Sequence, residues 1–129
     1  MGQLSNLFTD EEETLLIKNM RNHLIELAKK NTPMRYQQFS DEFYLDWDMQ
    51  DIEDRKLIAK FLGKISEDEF TEGRPLLSVF IQHEDGLPGK GFFTMAEQLG
   101  RFMPSFMDKN EFVKREREYA RVYWKNHKK

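Results

Sequence analysis

The stretch His83-Glu-Asp-Gly-Leu-Pro-Gly-Lys-Gly91 is a polar, glycine-rich loop between an apolar run and a segment with helical periodicity. In that order of elements, backbone N–H groups from Gly89 to Phe92 can face one concavity at a helix start and attract an anion, and Lys90 adds positive charge. The glycine spacing fits neither a Walker loop nor a dinucleotide fingerprint. The alternative is a tight turn, for which Glu-Asp-Gly and Pro-Gly are typical sequences.

Cations elsewhere in the chain extend this hypothesis. Arg74 stands at the entrance of the apolar run, where it can reach a phosphate or pair with Glu72 or a preceding acidic helix. The segment Lys114–Lys129 mixes basic and aromatic residues that can contact a nucleic-acid backbone and stack on bases, or form an amphipathic helix with solvated cations. The candidate phosphate- or nucleic-acid-binding residues are Arg74, Gly89, Lys90, Gly91, Lys114, Arg115 and Arg121.

Few other chemistries are indicated. The chain has no cysteine, which excludes disulfides, thiolate catalysis and cysteine-rich zinc sites. His83, Glu84 and Asp85 are adjacent, but His23 and His127 lie far away and no metal signature surrounds them. The abundant carboxylates fit a solvated face better than a catalytic pair. We therefore predict no catalytic residues, no metal site and no cofactor.

Several helices must position these residues. Thr9-Asp-Glu-Glu12 is a capping box, and a helix of about Thr9 to Lys30 should end before Asn31-Thr-Pro33. A short helix carries Tyr36, Phe39 and Phe43 on one face, and the next helix has the acidic residues Asp51–Asp54 in its first turns. Ser66-Glu-Asp-Glu69 is predicted to cap a separate short helix that Gly73 closes. Further helices follow the loop up to Gly100 and span about 109–127.

One strand is predicted, at Pro75–His83, because this run is apolar on both faces. A strand needs partners for its backbone groups, and Met34–Tyr36 and Gly91–Phe93 are the nearest matches in composition. The expected fold is therefore α+β: a mostly helical single domain, residues 1–129, with a small two- or three-stranded sheet of winged-helix type.

Charge is distributed unevenly along the chain. Residues 109–129 carry a net charge of +5 within a total of −3, so that residues 1–108 carry −8. The beginning of the chain lacks the basic and apolar regions of a signal peptide, and no apolar run approaches the ~20 residues of a membrane helix. We expect a cytoplasmic protein without membrane association, whose partners are a nucleic acid or a basic protein.

Two segments resemble parts of other proteins. The segment GRPLLSVFIQHEDGLPGKGFFTMAEQLG, residues 73–100, resembles the core of small uncharacterised bacterial and phage proteins. Tyr36-Gln-Gln-Phe39 and Asp85-Gly-Leu-Pro-Gly89-Lys resemble parts of the winged-helix domain of alkylguanine-DNA alkyltransferases and of the cysteine-less alkyltransferase-like proteins. That resemblance implies a winged hairpin. Ser78 would stand at the position of the catalytic cysteine, which rules out alkyl transfer.

Three functions remain open from the sequence. The first is a non-catalytic, nucleic-acid-associated module of a bacterium, phage or mobile element. The second is a protein-binding adaptor or inhibitor that uses an acidic face around Asp46–Asp54, with Tyr44, Trp47 and Met49 as an uncovered apolar patch. The third is an enzyme on a phosphorylated substrate, which requires Lys90, His83 and a carboxylate to converge.

Overall fold

The computed structural model describes residues 4–128, which form a mostly helical α+β domain. Its elements, in chain order, are α1 (Asp10–Lys30), β1 (Met34–Arg35), α2 (Tyr36–Glu42), α3 (Ile52–Thr71), a 3-10 turn (Leu77–Phe80), β2 (Ile81–Gln82), α4 (Lys90–Gln98) and α5 (Lys109–Asn126). No helix within residues 4–128 combines the length and the apolarity needed to cross a bilayer.

The local signals at helix ends are confirmed. Thr9 accepts a hydrogen bond from the Glu12 backbone, and the Glu12 side chain accepts one from the Thr9 backbone. Asn31 ends α1 in the left-handed conformation, with φ of 48°. Asp108 caps α5, which covers nearly the range predicted for the basic C-terminal helix. These ends form as predicted because each cap uses only neighbouring residues.

The predicted helix start at Ser66–Glu69 is wrong, because α3 continues through it without a break. Ser66 and Glu69 are both buried and follow Ile58, Leu62 and Ile65 on the inward side of the helix. Their side chains bond to Arg21, Arg74 and Ser78, which lie outside α3, instead of to the local backbone. A capping box and a helix interior share the same residue types, and here the tertiary partners decide between them.

The predicted strand at Pro75–His83 is also largely wrong. Within this run only Ile81–Gln82 form a strand, and Leu77–Phe80 form a 3-10 turn that is buried between α1, α3 and α5. Side chains satisfy part of its backbone: Ser66 accepts from the Ser78 N–H, and Arg117 donates to the Val79 carbonyl. An apolar run can therefore lie in the core without a sheet, since its polar groups find partners on helices.

The sheet has two strands, where the sequence predicted two or three. Met34 pairs with Ile81 and Arg35 with Gln82, in parallel. Met34–Arg35 was predicted as a partner strand and is one, whereas Gly91–Phe93 belongs to α4. The winged-helix feature is not confirmed, because the two strands are parallel and the loop after β2 leads into a helix instead of a returning strand.

One apolar core joins the helices. It is centred on the 3-10 turn, where Leu77, Val79 and Phe80 are fully buried. Trp124 of α5 is 1% exposed and Arg21 of α1 lies over its ring, so the interface of α1 with α5 excludes water. Because Trp124 is buried, it does not stack on bases as one interpretation of the C-terminal segment required.

Candidate functional site

A cleft of about 480 Å³ opens between α2, α3 and the start of α4. This volume is within the range of roughly 300–1,000 Å³ that small-molecule sites usually have. The cleft is lined by Arg35, Tyr36, Gln37, Met49, Gln50, Arg55, Ile58, Ala59, Leu62, Gly63, Ser78, Gln82, His83, Glu84, Gly89, Gly91, Phe92 and Met95. These residues come from several separate segments of the chain.

The lining combines apolar and polar groups. Apolar side chains are supplied by one face of α3, by α4 and by the loop before α3, as Ile58, Leu62, Phe92, Met95 and Met49. Polar side chains are supplied by three amides and by two arginines with one carboxylate, as Gln37, Gln50, Gln82, Arg35, Arg55 and Glu84. Such a cleft suits a ligand with an apolar body and a polar, anionic end.

The two arginines differ in their pairing. Arg35 forms an exposed ion pair with Glu84, with Nη1 and Oε1 3.3 Å apart. Arg55 is exposed on α3, and none of residues 4–128 forms an ion pair with it. A guanidinium without a carboxylate partner keeps its five donors for an anion, so Arg55 is the best-placed cation of the cleft.

Gly89 packs against two aromatic side chains, Tyr36 and His83. The Gly89 N–H donates to the Tyr36 hydroxyl at 2.8 Å, and the His83 ring packs on the Tyr36 ring with centroids 4.6 Å apart. A Cβ on Gly89 would lie 3.0 Å from His83 Nε2. Burial raises the pKa of the Tyr36 phenol, and the hydrogen bond from Gly89 opposes part of that rise. These contacts hold Gly89, the residue that precedes α4, against Tyr36 of α2.

The start of α4 faces the cleft. Gly89 is its N-cap and supplies no side chain, so the N–H groups of Lys90 and Gly91, the first two residues of the helix, have no side-chain cap. Gly89 and Gly91 line the cleft as the loop hypothesis predicted, but the Lys90 side chain does not. The convergence of Lys90, His83 and a carboxylate that an enzyme would need is therefore incomplete.

Gln37 shapes the mouth of the cleft. Its Nε2 donates to the Trp47 carbonyl at 2.9 Å, and its Oε1 accepts from the Met49 N–H at 2.8 Å. One amide thus reproduces two backbone hydrogen bonds and holds the loop before α3 against α2. Met49 and Gln50 line the cleft as a result.

Two glycines in helices line the cleft without a structural need for glycine. A Cβ on Gly63 in α3, or on Gly91 in α4, would meet nothing within 4 Å, and neither residue has a positive φ. The other described glycines have a positive φ or a close neighbour, namely Gly73, Gly86, Gly89 and Gly100. Glycine inside a helix costs about 1 kcal/mol relative to alanine. At Gly63 the absence of a side chain lowers the stability of the helix by about this amount, and it leaves the cleft open.

The other predicted phosphate ligands lie outside this cleft. Arg74 donates two hydrogen bonds to Glu69, at 2.7 and 3.2 Å, and this hydrogen bonding to the carboxylate is the main cause of the raised pKa of Arg74. Arg121 pairs with Glu118 on the surface of α5. Lys114 lies in a shallow depression beside Gly86, and Arg115 in a separate groove. The seven predicted residues therefore do not form one site.

Two charged residues of α5, the buried Glu116 and the partly buried Arg117, hold the turn before β2 and were not predicted from the sequence to do so. Glu116 accepts from the Leu76 N–H and pairs with Arg101; burial raises the pKa of its carboxyl, and these two partners oppose part of the rise. Arg117 donates to Val79 and to the Gly86 carbonyl, and burial lowers its pKa. The helical spacing places Glu116 on the same face as Phe112, but the sequence does not reveal its partners Leu76 and Arg101.

Comparisons with known proteins give no relative. Among residues 4–128, no group of three or more His, Asp or Glu could hold a metal ion. No protein-family model, curated protein or solved structure matches this chain. The cleft between α2, α3 and α4 therefore has to be interpreted from its own residues.

Proposed function

We propose that this protein is a nucleic-acid-associated binding module that takes one unpaired nucleotide in the cleft between α2, α3 and α4. The observation that carries the proposal is the pairing of an apolar floor with a cation, Arg55, that has no carboxylate partner within residues 4–128. A nucleotide has the same two parts, a planar base and a phosphate. The source can be single-stranded nucleic acid or a free nucleotide.

The base would occupy the apolar part. Phe92, Met95 and Met49 offer an aromatic ring and two polarisable thioethers, and stacking on such surfaces tolerates every base. The Gln50 amide can donate to or accept from the edge of the base, and the Gln82 amide, whose Oε1 already accepts from Arg117, can donate to it. Bases in a duplex are paired and stacked, so a cleft of this kind favours single strands.

The phosphate would lie between Arg55 and the start of α4. The uncapped N–H groups of Lys90 and Gly91 and the positive end of the helix dipole add to the arginine. Since only one or two phosphates are contacted, log Kd should change with log salt by about 0.7 per phosphate, a shallow dependence for a nucleic-acid-binding protein.

Reversing the charge of Arg55 tests the proposal. We expect Arg55→Glu to weaken binding of a labelled single-stranded 12-mer by about tenfold or more, because it replaces a phosphate contact with repulsion. The measurement is fluorescence anisotropy at low and moderate salt. The matched control is Lys60→Glu, an exposed residue of α3 outside the cleft, which should stay within about twofold.

Further ligands distinguish a nucleic-acid strand from a free nucleotide, and further variants distinguish the cleft from the surface of α5. DNA and RNA 12-mers, a duplex of the same length and mononucleotides as competitors distinguish strand binding from nucleotide binding. Lys114→Glu with Arg115→Glu tests α5 as the binding surface. Equal loss of binding in the Arg55 and Lys60 variants, or loss only in the α5 variant, would refute the cleft as the site.

The adaptor hypothesis is favoured by one residue, Tyr44. Its side chain is 97% exposed, and its φ is +57°. Of the predicted uncovered patch, Trp47 is buried against Phe61 and Met49 lies in the cleft, so Tyr44 is the member of that patch left to act as an aromatic anchor. The acidic residues around it would suit a lysine- and arginine-rich peptide.

Two substitutions of Tyr44 distinguish the free-energy cost of its left-handed backbone from the role of its side chain in binding. Tyr44→Gly should raise the free energy of unfolding by about 1 kcal/mol, since a left-handed conformation costs a side-chain-bearing residue about that much. Tyr44→Ala keeps the strain and should gain nothing. Urea denaturation measures both. If the adaptor hypothesis holds, both variants lose affinity for a lysine- and arginine-rich peptide; unchanged peptide affinity in both would contradict it.

A further inference from the structure

A pair of buried hydroxyl groups lies at the wall of the nucleotide cleft. Ser66 of α3 and Ser78 of the 3-10 turn have their Oγ atoms 2.6 Å apart. Ser66 Oγ also accepts from the Ser78 N–H at 2.9 Å. Ser66 is completely buried, whereas Ser78 is 5% exposed and lines the cleft.

One of the two serine hydroxyl protons has no hydrogen-bond acceptor within the part of the chain that the structure describes. Each hydroxyl carries one proton, and the bond between the two oxygens uses one of them. No other group among residues 4–128 accepts a hydrogen bond from either serine. The second proton therefore has to be satisfied from the cleft or remain unpaired.

Burial decides which serine carries the unused proton. If Ser78 donated to Ser66, the remaining proton would sit on Ser66, which has no contact with solvent, and an unpaired buried donor is costly. If Ser66 donates to Ser78, the remaining proton sits on Ser78 at the wall of the cleft. The second arrangement is favoured because a ligand can then accept that proton.

We infer that Ser78 donates a hydrogen bond to the ligand, and that the ligand's apolar body therefore carries an acceptor, such as a ring nitrogen or a carbonyl oxygen. This inference rests on the proposed nucleotide binding and narrows it. A heteroaromatic base meets the requirement, whereas a plain hydrocarbon ring of the same size leaves the Ser78 proton unpaired. Ser78 thus acts as a specificity-determining residue.

The test compares two ligands with the same backbone, one with polar bases and one with plain hydrocarbon rings. The probes are a labelled tetrathymidylate and its analogue in which phenyl rings replace the four bases, measured by fluorescence anisotropy. The wild-type protein should prefer the tetrathymidylate by about tenfold. Ser78→Ala should reduce that preference by about threefold or more, because it removes one of the groups that bond to the base, while Ser66→Ala, which leaves the Ser78 hydroxyl in place, should retain it.

The ratio of the two affinities separates recognition from folding. Ser66→Ala leaves the buried Ser78 N–H without its acceptor and should have the lower Tm of the two variants, yet it keeps the preference. A Ser78→Ala variant that still prefers the tetrathymidylate as strongly as the wild type would overturn this inference alone. Failure of the wild-type protein to bind either probe would overturn the proposed function together with it.

Discussion

Replacing Glu69 with alanine is expected to lower the free energy of unfolding by about 3 kcal/mol, a large effect for a single polar residue. Glu69 is 1% exposed, and both of its oxygens are bonded to guanidinium groups. Arg21 donates from Nε at 2.7 Å and Arg74 from Nε at 2.7 Å. One carboxylate therefore joins α1, α3 and the segment before the 3-10 turn.

The cost arises from what remains after the carboxylate is removed. Two like charges, Arg21 and Arg74, would face each other without the group that balances them, and a cavity would replace the side chain. Each guanidinium side chain is about a quarter exposed, so water recovers part of the loss, and this places the expected cost at the lower end of the usual range for a broken buried ion pair.

Chemical denaturation of Glu69→Ala and Glu67→Ala measures this effect. Glu67 lies two residues earlier on α3 with its side chain exposed, so its replacement should change stability by no more than about 0.5 kcal/mol. If the two variants were equally stable, the Glu69 cluster would contribute nothing beyond a surface ion pair, and the assignment of Arg74 to structure instead of phosphate binding would lose its basis.

Arg74 and Glu69 also show what the sequence could and could not predict. The ends of α1 and α5 were predicted correctly because Thr9 and Asp108 act on backbone groups three residues away. Glu69 was assigned to a cap by the same rule and lies in a helix interior, because its partner Arg21 is 48 residues away. Local patterns describe local contacts, and tertiary contacts override them where the two compete.

In the candidate site, too, the sequence predicted local patterns but not the tertiary contacts. The loop at residues 83–91 could be singled out because glycine, proline and lysine occur in one short stretch, and two of its glycines do line the cleft. Arg55 and Gly63 could not be singled out, since each is ordinary in its own segment, and Ser78 was noted only for the position that the alkyltransferase resemblance gives it. They matter only because α3 and the 3-10 turn meet the start of α4 in the folded chain.

Replacing Gly63 with leucine is expected to weaken nucleotide binding by about a hundredfold while leaving the protein at least as stable as the wild type. A Cβ at this position meets nothing within 4 Å, so the fold accepts a side chain, and leucine is a better helix former than glycine by roughly 0.5–1 kcal/mol. The added side chain would occupy the cleft volume that the base of the ligand needs.

A graded series separates this effect from a general change in α3. Gly63→Ala should raise the free energy of unfolding by about 1 kcal/mol and reduce affinity for the single-stranded 12-mer by about threefold or less, because one methyl group fills little of the cleft. Lys60→Leu adds the same side chain outside the cleft and should leave affinity unchanged. Anisotropy titrations and urea denaturation on the same preparations give both quantities.

The opposite signs of the two effects are the informative result. A substitution that damages the fold lowers stability and binding together, whereas a residue kept small for a ligand loses binding as it gains stability. Gly63→Leu that is both stable and fully competent to bind would mean that the open volume beside α3 takes no ligand. The search for a partner would then move to Tyr44 and the acidic residues around it.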